Sequence, residues 1–187
     1  MFVLGFSVDV LARVLSKLLD HGIRFVVIGD TVVQLALKQR VLGGDVDLFV
    51  IEPSVVVDED RFIKLAEDEG WLYSSTDAGT PKIIARYGDK EVPLEFYENI
   101  FDVYVPLEII ERAGSISIGG VRIRLIKPEE YLVLKARQGV DLDKVSQYIK
   151  RLGRKVDRKL VEKTIKLFPL DEQKLIENRL GSAGLRI

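Results

Sequence analysis

Asp45 and Asp47, two acids separated by one residue, have the types and spacing best suited to chemistry in this chain. They open the run Val46, Leu48, Phe49, Val50 and Ile51, whose apolar character predicts a strand. In a strand, residues two apart share a face, with Cα atoms about 7 Å from each other. Carboxylates so placed can share a pair of divalent cations about 4 Å apart, the arrangement used for in-line phosphoryl or nucleotidyl transfer. Magnesium suits hard oxygen ligands of this kind. Val46 and Leu48 then face the opposite, core-facing side. Two acids at this spacing also occur on ordinary surfaces. The context favours a site: the acids begin an apolar strand that lies one helix after another strand ending in glycine.

That glycine is Gly29, which closes the buried run Phe25-Val26-Val27-Ile28 just before a helix opened by Asp30 or Thr31. A glycine there lets backbone approach a phosphate closely, and a helix start offers unpaired N–H groups. A metal-bound triphosphate fits between Gly29 and the two aspartates. Glu95 is the best third carboxylate, because it sits in the strand Glu91–Tyr97 between apolar Leu94 and Phe96. An acid in such surroundings is costly unless paired or metal-bound. It could ligate a metal or take the proton of an attacking hydroxyl. Glu91 and Asp102 compete for the same role. Clustered acids without a cation should repel one another.

Composition narrows the alternatives. The 187 residues include no cysteine and one histidine, His21, which excludes disulfides, zinc-thiolate sites and cysteine nucleophiles. Catalysis must then rest on carboxylates, metals or lysine. His21 reads as a capping or surface residue, and Trp71 as core. No Walker A, GxGxxG or Ser-His-Asp pattern is present. No apolar run approaches a membrane span of roughly 18 residues. The opening MFVLGFSVDV has no basic residue ahead of its apolar ones and does not read as a signal peptide, so a cytoplasmic protein is expected. The chain has one Met, and Asn99 and Asn178 are its only asparagines; with its many charges, this resembles a thermophile's composition.

The net charge of −1 conceals an asymmetry. Residues 1–100 hold 10 basic and 17 acidic side chains, and residues 101–187 hold 18 and 12. From Lys144 to Lys166 there are nine basic and two acidic residues. The pattern fits an acidic, metal-binding part and a basic part facing a polyanion such as tRNA. It is equally the pattern of solvated helical faces.

These residues need elements to position them. Ser7 can cap a first helix whose Val10, Leu11, Val14, Leu15 and Leu18 form one stripe, ended by Gly22. The second helix is expected to reach about Gln39, and a third to span Asp58–Gly70. Lys82–Tyr87 and Glu91–Tyr97 are strands joined by the turn Gly88-Asp89-Lys90. Pro106–Ala113 is a short helix, and Ser115–Ile118 and Val121–Ile126 form a hairpin about Gly119-Gly120. From Pro128 the pattern is helical, with helices near 128–138, 141–152, 157–168 and 171–180. The expected architecture is an α/β core over 1–126, a mixed sheet flanked by helices, followed by a helical domain over 127–187.

The string Val27-Ile28-Gly29-Asp30-Thr31, a helix, Asp45-Val46-Asp47-Leu48 and a later acid in a strand resembles the DNA polymerase β-like nucleotidyltransferase superfamily. The segment Leu125–Ala136 is similar to the start of the helical part in stand-alone prokaryotic members, including those related to abortive-infection toxins. The resemblance implies transfer of a nucleoside monophosphate from an NTP to a hydroxyl of RNA, protein or a small molecule. It also implies Asp45, Asp47 and Glu95 as ligands of two Mg²⁺ ions, Gly29, Asp30 and Thr31 at the nucleotide, and Lys135 facing the site; Lys135 is equally a solvated helix lysine. The sequence departs from the family's Gly or Ser at Asp30. Its charge either stands beside the triphosphate or folds onto the helix N–H groups as a cap. A non-catalytic module of the same fold, binding nucleic acid or a protein partner, is the alternative that Asp30 favours.

Overall fold

A computed structural model describes residues 5–100 and 103–187 of the chain. In order, the elements are β1 (Phe6–Ser7), α1 (Val8–Asp20), β2 (Arg24–Val27), α2 (Thr31–Ala36), β3 (Val41–Leu42), β4 (Val46–Glu52) and α3 (Glu59–Glu69). There follow β5 (Leu72–Ser75), β6 (Pro81–Tyr87), β7 (Lys90–Tyr97), α4 (Leu107–Glu111), β8 (Gly114–Ile118) and β9 (Val121–Leu125). Helices α5 (Pro128–Gln138), α6 (Leu142–Leu152), α7 (Arg158–Ile165) and α8 (Leu170–Ser182) complete the chain.

Local chemistry sets most boundaries. The Ser7 hydroxyl accepts from Val10 N at 3.2 Å and starts α1, whose Leu11, Val14, Leu15 and Leu18 are buried. Gly70 takes a left-handed φ of 68° and ends α3. Helix α2 stops at Ala36, short of the expected Gln39. The buried Gln34 side chain donates to Gly43 O and accepts from Gly43 N, at 2.9 and 3.0 Å. Those bonds fold the following loop back onto the helix.

Seven strands form a mixed sheet in the order β5-β6-β7-β4-β2-β9-β8, while β1 and β3 pair separately. The β4–β7 and β2–β9 pairings are parallel and the others antiparallel. On β7 the period of two buries Val92, Leu94 and Phe96. Phe62 of α3 meets Phe96 edge-on, ring centroids 5.0 Å apart, which places α3 on that face. Glu91, Pro93, Glu95 and Tyr97 therefore line the opposite face.

The chain divides into two compact units. The first comprises Met1–Tyr104 and Ala113–Leu125 and contains the sheet. The second comprises Val105–Arg112 and Ile126–Ile187 and is helical. Short α4 belongs to the helical unit because Arg112, at its end, is held there. The guanidinium donates to Glu130 on α5 and, at 2.8 Å, to Thr164 Oγ1 on α7. Glu130 is 1% exposed, and its second oxygen accepts from Lys127 N at 2.7 Å, so the buried charge is fully engaged. Arg179 of α8 donates to the carbonyls of Ala136 and Arg137 at 2.9 and 2.7 Å, covering the end of α5.

Candidate functional site

The predicted acids lie in the first unit, on the sheet face opposite the core. Asp47 and Glu95 are register partners across the parallel β4–β7 pair, and Asp45 immediately precedes β4. Lys82 of β6 is in turn the register partner of Glu95. Its Nζ lies 3.1 Å from Asp45 Oδ1 and 2.6 Å from Glu95 Oε1, so one ammonium bridges two carboxylates. The other oxygen of Glu95 accepts a hydrogen bond from the Tyr97 hydroxyl.

The electrostatics follow from this arrangement. Burial pulls the Lys82 ammonium toward neutrality, but the hydrogen bonds and negative charge of Glu95 and Asp45 outweigh it and hold its pKa above the ordinary value. Burial also pushes the Tyr97 phenol well above its usual range, helped by the hydrogen bond to Glu95 and the charges of Glu95, Asp47 and Asp45. The phenol thus stays protonated and serves as a donor, within the negative field of all three acids.

Gly29 lies on the neighbouring side of β4. A Cβ built there would stand 2.1 Å from Asp47 Oδ2 and 2.8 Å from Asp47 Cβ, so only glycine leaves room for this carboxylate. Ile28 N donates to Asp47 O at 3.0 Å and fixes the two segments side by side. Asp30 occupies the N-cap position of α2, yet its carboxyl makes no capping hydrogen bond. Thr31 is buried, and its Oγ1 has no hydrogen-bond partner among the described residues.

Of the two competitors for the third acid, Glu91 pairs with Arg86 on an exposed stretch, and Asp102 lies outside the described residues. Among the described residues no three His, Asp or Glu side chains are gathered as a ready-made metal site. The cation that Asp45 and Glu95 meet is Lys82. The donor set nevertheless suits a hard divalent ion: its atoms are carboxylate oxygens, and Gly29 leaves space for the Asp47 carboxyl.

Comparison with known proteins decides the family. The family described as "Nucleotidyl transferase of unknown function (DUF2204)" matches residues 7–182. The chain belongs to this family. The fold agrees with that of another nucleotidyltransferase-like protein. The crystal structure of an antigenic nucleotidyltransferase-like protein from Paracoccidioides brasiliensis superposes with a TM-score of 0.57 at 18% identity, covering 95% of this chain and 91% of that one. The solution structure of the antibiotic-resistance factor ANT(2'')-Ia gives a TM-score of 0.45 at 15% identity, over 94% of this chain and 91% of that one. No curated protein matches the sequence significantly.

For a member of this nucleotidyl transferase family, two site features were not anticipated from sequence: Lys82 and Tyr97. Tyr97 shares the face of Glu95 by the period of two, which was available. Lys82 was hidden by the turn. The hairpin closes with Tyr87 opposite Lys90, a two-residue turn of Gly88 and Asp89, rather than the three-residue turn expected. Counting five residues out from each end then sets Lys82 opposite Glu95. A turn one residue longer would have set it opposite Phe96, with the wrong face. Lys135 belongs to the second unit, where its ammonium pairs with Asp141 at 3.3 Å. His21 caps the end of α1 and pairs with Glu69 at 3.0 Å, and Trp71 is buried. No helix among the described residues is long and apolar enough to cross a membrane.

Proposed function

We propose that this protein transfers a nucleoside monophosphate from a Mg²⁺-bound NTP to an acceptor hydroxyl. The observation that carries this reading is the single cation, Lys82 Nζ, shared by Asp45 and Glu95 beside the register pair Asp47–Glu95. Such an acid cluster is built to hold positive charge. Asp45, Asp47 and Glu95 would hold the metal, which neutralises the polyphosphate and lowers the barrier to displacement at phosphorus. Gly29 and the start of α2 would receive the phosphates. The acceptor oxygen bonds to the α-phosphorus as the bond to the bridging oxygen breaks. Pyrophosphate leaves, and the hydroxyl proton passes to Glu95 or to water. Tyr97 keeps Glu95 oriented by donating to its second oxygen.

Nucleic acid, with tRNA as the example, is the acceptor class this reading favours, in a cytoplasm where NTPs are made. In the helical unit Lys150, Arg154 and Arg158 line a groove of about 600 Å³ together with Val156 and Leu185. Exposed cations along such a groove match a phosphate backbone. The test is label transfer from each α-labelled NTP with Mg²⁺ to total RNA and to protein, with release of pyrophosphate. Asp45→Asn and Asp47→Asn should abolish both signals. Binding of RNA should weaken steeply with added salt and with Lys150, Arg154 and Lys155 changed to Glu. Label appearing on protein alone would reassign the acceptor.

Asp30 supports a second reading, a non-catalytic module of the same fold. Its carboxyl is buried beside the expected phosphate position and is not used as a helix cap.

A further inference from the structure

Lys82 holds the position from which a metal would be bound, and this has a consequence for how the site is loaded. Its ammonium donates to one oxygen of Asp45, just before β4, and to one of Glu95, on β7. Those lone pairs are the ones a divalent ion would take. An ammonium and a metal ion compete for them: both are cations, they repel at this separation, and each hydrogen on nitrogen takes up a lone-pair direction on the oxygen it meets. The Lys82 side chain is 24% exposed and that of Glu95 is 16%, whereas that of Asp45 is 44%, so the competition is screened least by water at Glu95.

Lys82 is also fixed by its backbone, because β6 pairs with β7 in unbroken register from Lys82–Glu95 to Tyr87–Lys90. Its side chain, by contrast, is a four-carbon stem with rotatable bonds and can release its ammonium without moving the strand.

We propose that Lys82 is a resident counter-cation that excludes a bare divalent ion from the three carboxylates, so that the metal enters together with a nucleoside triphosphate. The inference rests on the reading of Asp45, Asp47 and Glu95 as metal ligands. In the metal-free protein Lys82 neutralises the acid pair, and the arriving metal displaces it. A metal–triphosphate complex has what a bare ion lacks: phosphate oxygens that bring their own contacts to the protein and negative charge that attracts the freed ammonium.

The test is Mn²⁺ binding without nucleotide, followed by the loss of the free-ion electron paramagnetic resonance signal. Lys82→Met should bind Mn²⁺ at least tenfold more tightly than the natural protein. Lys82→Arg, which keeps the charge, should not. Adding Asp45→Asn to Lys82→Met should remove the gain. Equal Mn²⁺ affinity for the natural protein and Lys82→Met would overturn the competition while leaving the carboxylate site standing. If neither binds Mn²⁺ with or without NTP, the metal site itself falls, and this inference with it. Should Lys82→Met fold poorly, the natural protein supplies the second measurement: acylation of each lysine mapped by mass spectrometry. Labelling of Lys82 should rise on adding Mn²⁺ with NTP, while Lys64 and Lys90 stay constant. Unchanged labelling at concentrations that occupy the site would refute the displacement.

Discussion

The carboxyl of Asp47 lies directly over the α-carbon of Gly29, so close that a single methyl group at 29 would overlap it. The backbone of Gly29 has no left-handed conformation to protect. Its requirement is for space. Gly29→Ala should therefore displace Asp47 or push β2 and β4 apart, costing about 1–3 kcal/mol by overpacking. Misplacing a ligand by 1 Å can cost roughly 100-fold in rate, so nucleotidyl transfer should fall further than stability does. Gly43→Ala is the control, since nothing lies within 4 Å of a Cβ there. Urea denaturation and label transfer, compared for the two variants, check the prediction.

Asp30 separates the catalytic from the non-catalytic reading. Replacing it with Ser removes a charge near the expected polyphosphate and sacrifices no capping hydrogen bond. NTP binding with Mg²⁺ should tighten by roughly 1–2 kcal/mol at an effective dielectric near 20. Calorimetric titration with each NTP measures it. Binding in neither the natural protein nor Asp30→Ser would remove the nucleotide from the account altogether. Binding only in the variant would identify a fold that has lost its chemistry.

In the helical unit, Arg112→Met should be severely destabilising. It leaves the Glu130 carboxylate buried without its cation and Thr164 Oγ1 without a donor. Removing one partner of such a pair costs about 3–5 kcal/mol. The double change Arg112→Met with Glu130→Leu should recover much of that loss. Thermal unfolding of the two variants reads the difference, and equal melting temperatures would show that the pair is not the cause.

Glu69 gives a pH dependence of known sign. Burial works to raise its pKa, but hydrogen bonds from His21 and Lys17 and their charges outweigh it, so the folded value lies below the ordinary one. A carboxyl with a depressed folded pKa contributes stability above its unfolded pKa and loses it as pH falls through the folded value. Glu69→Gln should accordingly be less stable than the natural protein at pH 7, by about 1 kcal/mol. The gap should close as pH falls below the ordinary carboxylate range, through the depressed folded value. Denaturation curves at pH 5, 4 and 3 would contradict the account if the gap widened over that interval.

The sequence alone determined what depends on near neighbours in the chain. Alternation along Glu91–Tyr97 set Glu95 on one face and Val92, Leu94 and Phe96 on the other, and Asp47 likewise opposes Val46 and Leu48, because a strand's side chains alternate whatever surrounds it. Ser7, Gly70 and Pro128 marked helix ends through backbone groups within a few residues. Tertiary structure decided what depends on pairing between distant segments. The order β7-β4-β2 brought Asp47 against Gly29 on one side and Glu95 on the other, although each strand's own pattern is compatible with several neighbours. The length of one turn chose Lys82 as the partner of Glu95, since a slip of one residue exchanges the faces of a whole strand. Likewise residues 105–112 grouped with the C-terminal helices through Arg112 and Glu130, 18 positions apart. A buried charge settles wherever the fold supplies its counter-charge, and periodicity carries no record of that.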